Sequence, residues 1–208
     1  MIAASKALEL LRDGNRRFVA ERQRDGRIGA SRRGEVSERQ EPFAIVLGCS
    51  DSRVPAEIVF DQGLGDLFVI RVAGNIVAPS QIGSVEFAAE QFQTRLVVVL
   101  GHSGCGAVLA TIEQLNRPVE KQSRNLRAIV DRVRPSVEPL LATPLRDDPQ
   151  ALVANAVRAN VRASVSNLRH GSEILEQLIE RDGLLVIGAE YSLETGVVEF
   201  LEGLPAER

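Results

Sequence analysis

The sequence predicts an α/β fold: a central, mostly parallel sheet of four parallel strands plus an antiparallel edge strand, flanked by helices and led by an N-terminal helical arm. Three observations predict it. Short, nearly continuous apolar runs at 43–48, 67–72, 96–100 and 184–189 alternate with segments of helical spacing, as expected for strands buried on both faces. The run at 184–189 is followed by the turn sequence Leu193-Glu-Thr-Gly196 and a strand pattern over 197–201, which reads as a closing hairpin. The only two cysteines, Cys49 and Cys105, and one of the only two histidines, His102, fall just after the first and third runs.

The elements follow in order. Residues 4–18 place Leu8, Leu11 and Phe18 on one side of an amphipathic helix. Residues 21–41 are polar, with arginine and glycine throughout, and read as a long loop. The arginines at 16, 17, 22, 24, 27, 32 and 33 read as a solvated face rather than an anion-binding one. Helices fill 55–60, 80–92, 105–115 and 122–133. A longer helix starts at Pro149, a residue suited to the first helical position, with Asp148 as its cap. It carries Val153, Val157, Val161, Val165 and Leu168 and stops at Gly171; a last helix spans 172–181. The 208 residues read as one domain, with 1–41 as arm and loop and 42–208 as the α/β core.

A net charge of −3 gives no electrostatic reason to expect nucleic acid or an acidic membrane surface. No stretch approaches the roughly 20 apolar residues that cross a bilayer, and charges interrupt the N-terminus too early for a signal peptide. The expected location is the cytoplasm, a reducing compartment that leaves both thiols free for a metal.

Two thiolates and an imidazole suit zinc, and three protein ligands with a fourth position left open are the pattern of a catalytic site. For Cys49, His102 and Cys105 to share one ion, the first and third strands must be parallel neighbours, with the second strand on the other side of the first. That puts the metal at a topological switch point, where open α/β sheets bind ligands. Gly101, Gly104 and Gly106 allow a tight turn between strand and helix, and leave the Gly106 N–H to donate to a bound oxyanion. Asp51 and Arg53 read three ways: a structural ion pair, an ionised carboxylate oriented to accept a hydrogen bond from zinc-bound water, or a fourth ligand at Asp51. His170 is a candidate fourth ligand, but its place at a helix C-terminus suits carbonyl and dipole contacts better. Tyr191 packs near the sheet edge.

At this point the residues resemble a family. Cys49-Ser-Asp-Ser-Arg-Val-Pro-Ala-Glu57 and Gly101-His-Ser-Gly-Cys-Gly106 are similar to the two signature segments of β-class carbonic anhydrases. Asp66-Leu-Phe-Val-Ile-Arg-Val-Ala-Gly-Asn75, Gly83-Ser-Val-Glu-Phe87 and the opening Leu-Arg-Asp-Gly-Asn-Arg-Arg-Phe-Val extend the likeness over most of the chain. The resemblance implies one Zn2+ per chain on Cys49, His102 and Cys105, an Asp51–Arg53 catalytic dyad, and reversible hydration of carbon dioxide to bicarbonate by zinc-bound hydroxide. It implies substrate contacts from Gln40, Phe68, Ala73, Phe87 and the Gly106 N–H. It also implies a homodimer or homotetramer with the active site at the subunit interface and an N-terminal helix reaching across.

The chain departs from the family pattern where Ala73 replaces a bulkier Val and Phe87 a frequent Tyr. Members whose resting site is closed by the aspartate typically carry Trp where this chain has Val46, although Arg71 and Tyr191 match other elements of their bicarbonate site. The sequence therefore resembles the open, non-allosteric subtype. Two rival readings keep the same ligands: a carbon disulfide hydrolase of the same fold, and a non-catalytic zinc protein closed by a fourth ligand such as His170.

Overall fold

The structure, a computed structural model, describes residues 2–116 and 123–203. In chain order the elements are α1 (Ala4–Val19), α2 (Ala30–Val36), β1 (Ala44–Gly48), α3 (Ala56–Val59), β2 (Leu67–Arg71), a 3-10 turn (Ala73–Asn75), α4 (Pro79–Gln91), β3 (Leu96–His102), α5 (Gly106–Asn116), α6 (Arg124–Leu141), α7 (Pro149–His170), α8 (Glu173–Arg181), β4 (Leu185–Tyr191) and β5 (Val198–Glu202). The strands form one sheet in the order β2-β1-β3-β4-β5. The first four are parallel and β5 runs antiparallel to β4. β1 thus lies between β2 and β3, the arrangement that a shared ion on Cys49 and His102 demands.

Side-chain alternation divides the core in two. Ala44, Val46, Leu96, Val98 and Leu100 face one side, where α1 (Ala7, Leu8, Leu11) and α3 (Ala56, Val59) cover them. Ile45, Leu47, Val97 and Val99 face the other, beneath α4 (Val85, Ala88), α7 (Val161, Val165, Leu168) and α8 (Leu175). A third cluster, formed by Cys49, Ile76, Cys105, Val108, Val133, Val137 and Val157, caps the C-terminal ends of β1 and β3.

α1 is docked on its own chain's sheet. It comes so close to the backbone of Phe60 that a Cβ on Gly14 would lie 1.8 Å from the Phe60 carbonyl oxygen. Asn15 stitches this contact: its Nδ2 donates to the Val59 and Gly196 carbonyls, and its Oδ1 accepts from the Val198 N–H. Both ends of the amide are satisfied, as burial requires.

The loop expected over 21–41 contains a helix, α2, none of whose residues is buried. Ionic contacts hold this segment where an apolar stripe does not. Arg17 Nε donates to Asp61 Oδ2 at 2.5 Å, and the Arg24 N–H donates to Asp61 Oδ1 at 3.1 Å. Asp66 receives Arg27 and, at 2.9 Å, Arg32. The arginine-rich stretch is therefore not simply a solvated face.

Residue 122, where the 122–133 helix was expected to start, lies outside the described residues. α6 runs from Arg124 to Leu141, through Pro135 and Pro139. A proline inside a helix costs about 3 kcal/mol or more, but the buried stripe Val130, Val133 and Val137 packs against neighbouring helices and offsets it.

Candidate metal centre

β1 and β3 end side by side, with Gly48 opposite Leu100 in register. Cys49 follows β1 directly and His102 is the last residue of β3, so two donors converge by strand pairing alone. Gly104, at φ 63°, then turns the chain, and Cys105 stands at the head of α5, its carbonyl accepting the Leu109 N–H. The helix begins at Gly106 rather than Cys105. A helix N-terminus favours a thiolate there.

The ligand atoms of Cys49, His102 and Cys105 all lie within 4.8 Å of one another, and all three residues are buried. Zn–S bonds of about 2.3 Å in a tetrahedron separate two sulfurs by roughly 3.8 Å, so the cluster has close to the span that an ion needs. The histidine is already set for ligation. Its Nδ1 lies 3.0 Å from the Ser103 carbonyl and donates to it. Its Nε2 is fully buried and makes no hydrogen bond. A buried lone pair beside two sulfurs fits a cation, and the outward hydrogen bond fixes the tautomer that a ligand requires.

The two sulfurs polarise each other. The Cys105 thiol beside Cys49 pulls the latter well below the usual thiol range against the opposing effect of burial, helped by His102 and by the Gly74 N–H, which donates to Cys49 Sγ at 3.3 Å. The same contact, together with burial, pushes Cys105 upward. Burial alone would lower His102, but contact with Cys49 outweighs it and the net shift is upward.

Asp51 is tied to Arg53. Oδ1 accepts from Arg53 Nε at 2.9 Å and from the Arg53 backbone N–H at 3.0 Å, while Oδ2 accepts from Nη2 at 2.7 Å. The guanidinium therefore holds the Asp51 carboxyl far below the usual carboxylate range. Asp51 Oδ2 stands 3.8 Å from His102 Nε2, yet Asp51 does not join the three-donor cluster. Asp51 thus stands beside the cluster as an ion-paired carboxylate.

Ala73 and Gly106 flank the cluster: Ala73 begins the turn that offers the Gly74 N–H to Cys49, and Gly106 follows Cys105. As the first residue of α5, Gly106 has an N–H with no acceptor within the helix. Its glycine is not forced by crowding, since a Cβ there would meet nothing within 4 Å. Within one chain, Gln40, Phe68 and Phe87 are not part of this assembly. Gln40 precedes β1 whereas Cys49 follows it, and five strand residues span about 16 Å. Gln40 lines a cavity of about 1200 Å³ with Phe43, Phe92, Thr94 and Arg95 at the N-terminal end of the sheet. Phe68 and Phe87 pack together, ring centroids 6.1 Å apart, with Phe92 beside both, and Phe87 remains 53% exposed.

His170 is exposed at the end of α7, 3.8 Å from Glu176, and is not in the cluster. The structure also adds residues that the sequence reading gave no role in holding the site. Arg71 donates to the carbonyls of Cys49 (3.1 Å) and Asp51 (2.6 Å), clamping the segment between them. Asn160 and Ser164 bond the carbonyls of Gly74 and Asn75. Their signal was visible as two polar residues four apart on the apolar stripe of α7.

This α/β sheet, with a Cys-His-Cys cluster that could hold a metal ion at its switch point, defines the class of fold and site, and comparison with known proteins identifies the family. A family profile described as carbonic anhydrase matches residues 44–198. The chain is 41% identical to a carbonic anhydrase of Mycolicibacterium smegmatis, over 95% of this chain and 92% of that one. It is 38% identical to carbonic anhydrase 2 of Mycobacterium tuberculosis, over 94% and 90%. Among solved structures it resembles the Coccomyxa β-carbonic anhydrase in complex with acetazolamide, with TM-score 0.72 and 25% identity over 97% of this chain and 87% of that one. It also shares the fold of an Aspergillus fumigatus β-carbonic anhydrase, at TM-score 0.74 and 24% identity over 97% and 91%. The chain belongs to the carbonic anhydrase family, in its β class.

Proposed function

We propose that the chain holds one zinc ion on Cys49, His102 and Cys105 and catalyses the reversible hydration of carbon dioxide to bicarbonate and a proton. The observation that carries this reading is a buried set of three donors, rather than four, beside a carboxylate that Arg53 keeps ionised. Zinc bound there supplies the Lewis acidity that brings water to hydroxide near neutral pH.

The chain's own residues do the rest. An Asp51 held as carboxylate can only accept, so it takes the hydrogen bond from the attacking water and turns the oxygen lone pair toward the substrate carbon. The Gly106 N–H, at the positive end of α5, donates to the substrate oxygen that gains charge. Ala73 forms part of an apolar wall small enough for carbon dioxide.

A second copy of the chain brings Gln40, Phe68 and Phe87 to complete the pocket, Gln40 donating to the substrate. This is the reading that their separation from the cluster within one chain supports. A homodimer follows, or a tetramer, the state named for the β-carbonic anhydrases of Sordaria macrospora. No helix among the described residues is long and apolar enough to cross a membrane, and the expected place of action is the cytoplasm.

Stopped-flow hydration of carbon dioxide by zinc-verified protein, from about pH 6.5 to 9, tests the reading. Asp51→Asn is expected to retain zinc and lose on the order of a hundredfold or more in turnover. Near-native turnover in Asp51→Asn would remove the carboxylate from the mechanism. A native chain with one zinc and no hydration activity would overturn the assigned reaction.

A further inference from the structure

α7 carries two buried polar side chains that the proposed reaction does not use. Asn160 is 2% exposed and Ser164 3%. Spaced four apart, they lie on one face of the helix, among Val157, Val161, Val165 and Leu168. Their partners are consecutive carbonyls of the 73–75 turn. Asn160 Nδ2 donates to the Gly74 oxygen at 2.7 Å, and Ser164 Oγ donates to the Asn75 oxygen at 2.9 Å.

That turn is unusual in three respects. Gly74 and Asn75 both hold positive φ, 70° and 43°, and for the asparagine this conformation is uncommon. Gly74 is hemmed in, since a Cβ there would lie 2.9 Å from Ala107 Cβ and 3.5 Å from Val133 Cγ2. The Gly74 N–H points at Cys49 Sγ, 3.3 Å away. A left-handed pair of residues needs its surroundings to fix it, and here the two carbonyls that would otherwise swing free are fastened to one rigid helix.

We propose that Asn160 and Ser164 are positioning residues for the Cys49 thiolate: by holding the Gly74 and Asn75 carbonyls they keep the Gly74 N–H on Cys49 Sγ, and so set how strongly that sulfur donates to the bound metal. The inference rests on the metal-centre reading above. Outer hydrogen bonds to ligands commonly change metal affinity about 10–100-fold, and an N–H donated to a thiolate withdraws electron density from sulfur. An alternative is that the two side chains only satisfy buried carbonyls, in which case their loss would lower stability without reaching the metal.

Cobalt(II)-loaded full-length protein separates the two. The variants are Asn160→Leu, which keeps the number and branching of the side-chain atoms and loses the donor, and the milder Ser164→Ala. The control is Val165→Ala, on the same helix, whose buried side chain has no donor for the turn's carbonyls. In Asn160→Leu and Ser164→Ala the sulfur-to-cobalt charge-transfer band is expected to move to longer wavelength as the sulfur regains electron density, and cobalt affinity in chelator competition to fall about 10–100-fold as the thiolate loses its fixed position. Val165→Ala is expected to lower Tm with band position and cobalt affinity unchanged. If Ser164→Ala, or Asn160→Leu where it folds, matches Val165→Ala in band and cobalt affinity at equal loss of Tm, the positioning role is overturned. A native protein that takes up no cobalt overturns the metal-centre reading itself, and this inference with it.

Discussion

Gly101 offers a test of how tightly the site is packed. It precedes His102 in β3, and α7 crosses so close that a Cβ at 101 would lie 2.5 Å from Val161 Cγ2, 3.6 Å from Val157 Cγ1 and 3.7 Å from Asn75 Oδ1. Carbon atoms rest about 3.5–4.0 Å apart, so Gly101→Ala demands a retreat of about 1 Å by Val161 or by the strand. A helical valine has essentially one χ1 rotamer and cannot turn away. Overpacking of this kind costs about 1–3 kcal/mol. For a chain of this size that is a fall in Tm of roughly 2–12 °C.

Val161→Ala removes the clashing methyl and alone costs about 1–3 kcal/mol in lost burial and cavity. In the double variant the new methyl occupies part of the space vacated. The expected result of urea unfolding on all four proteins is a favourable coupling of about 0.5–3 kcal/mol. Additivity within about 0.5 kcal/mol would refute the claim that Gly101 is glycine because of Val161.

Three further outcomes are expected. Asp61 is pushed up by burial but pulled below the usual carboxylate range by Arg17 and by the Arg24 N–H. Its contribution is thus fully present above the unfolded value near 3.9 and fades as pH falls through the lower folded value. Asp61→Asn should cost about 1–3 kcal/mol at neutral pH, a gap that closes as pH falls through the lowered folded value; a gap independent of pH in urea titrations would contradict the pairing. Refolding a mixture of Gln40→Leu and Asp51→Asn chains should restore about a quarter of native activity, because half the dimers are hybrid and each hybrid holds one intact site; no recovery would place Gln40 outside the partner's pocket. Removing metal with a chelator should lower Tm of the native protein by several degrees while leaving that of Cys105→Ser unchanged, and equal Tm shifts in both would mean that the ion sits elsewhere.

The strands were legible because β1 and β3 are buried at every position, which forces runs such as Ala44-Ile-Val-Leu and Leu96-Val-Val-Val-Leu. Their neighbour relation followed from chemistry: one ion on Cys49, His102 and Cys105 permits few strand orders. α2 was not legible, because none of its residues is buried and its hold comes from Arg32 on Asp66 and on the Leu64 carbonyl, contacts with no periodicity. The far half of α6 was hidden by Pro135 and Pro139, whose local cost is outweighed by packing that only the assembled helices reveal. Asn160 and Ser164 were passed over because a helix read for its apolar stripe gives no reason to follow the polar members of that stripe.

The fastening of the N-terminal segment has a lopsided genetics. Asp61 serves Arg17 and Arg24, and Asp66 serves Arg27 and Arg32. Substituting any one of these arginines leaves its aspartate a second cation. Substituting either aspartate takes the shared carboxylate from two arginines at once, and although Arg32 keeps Glu35 and Arg27 keeps Gln62, the loss is double what one arginine's replacement causes. Each acidic position thus answers for two basic ones.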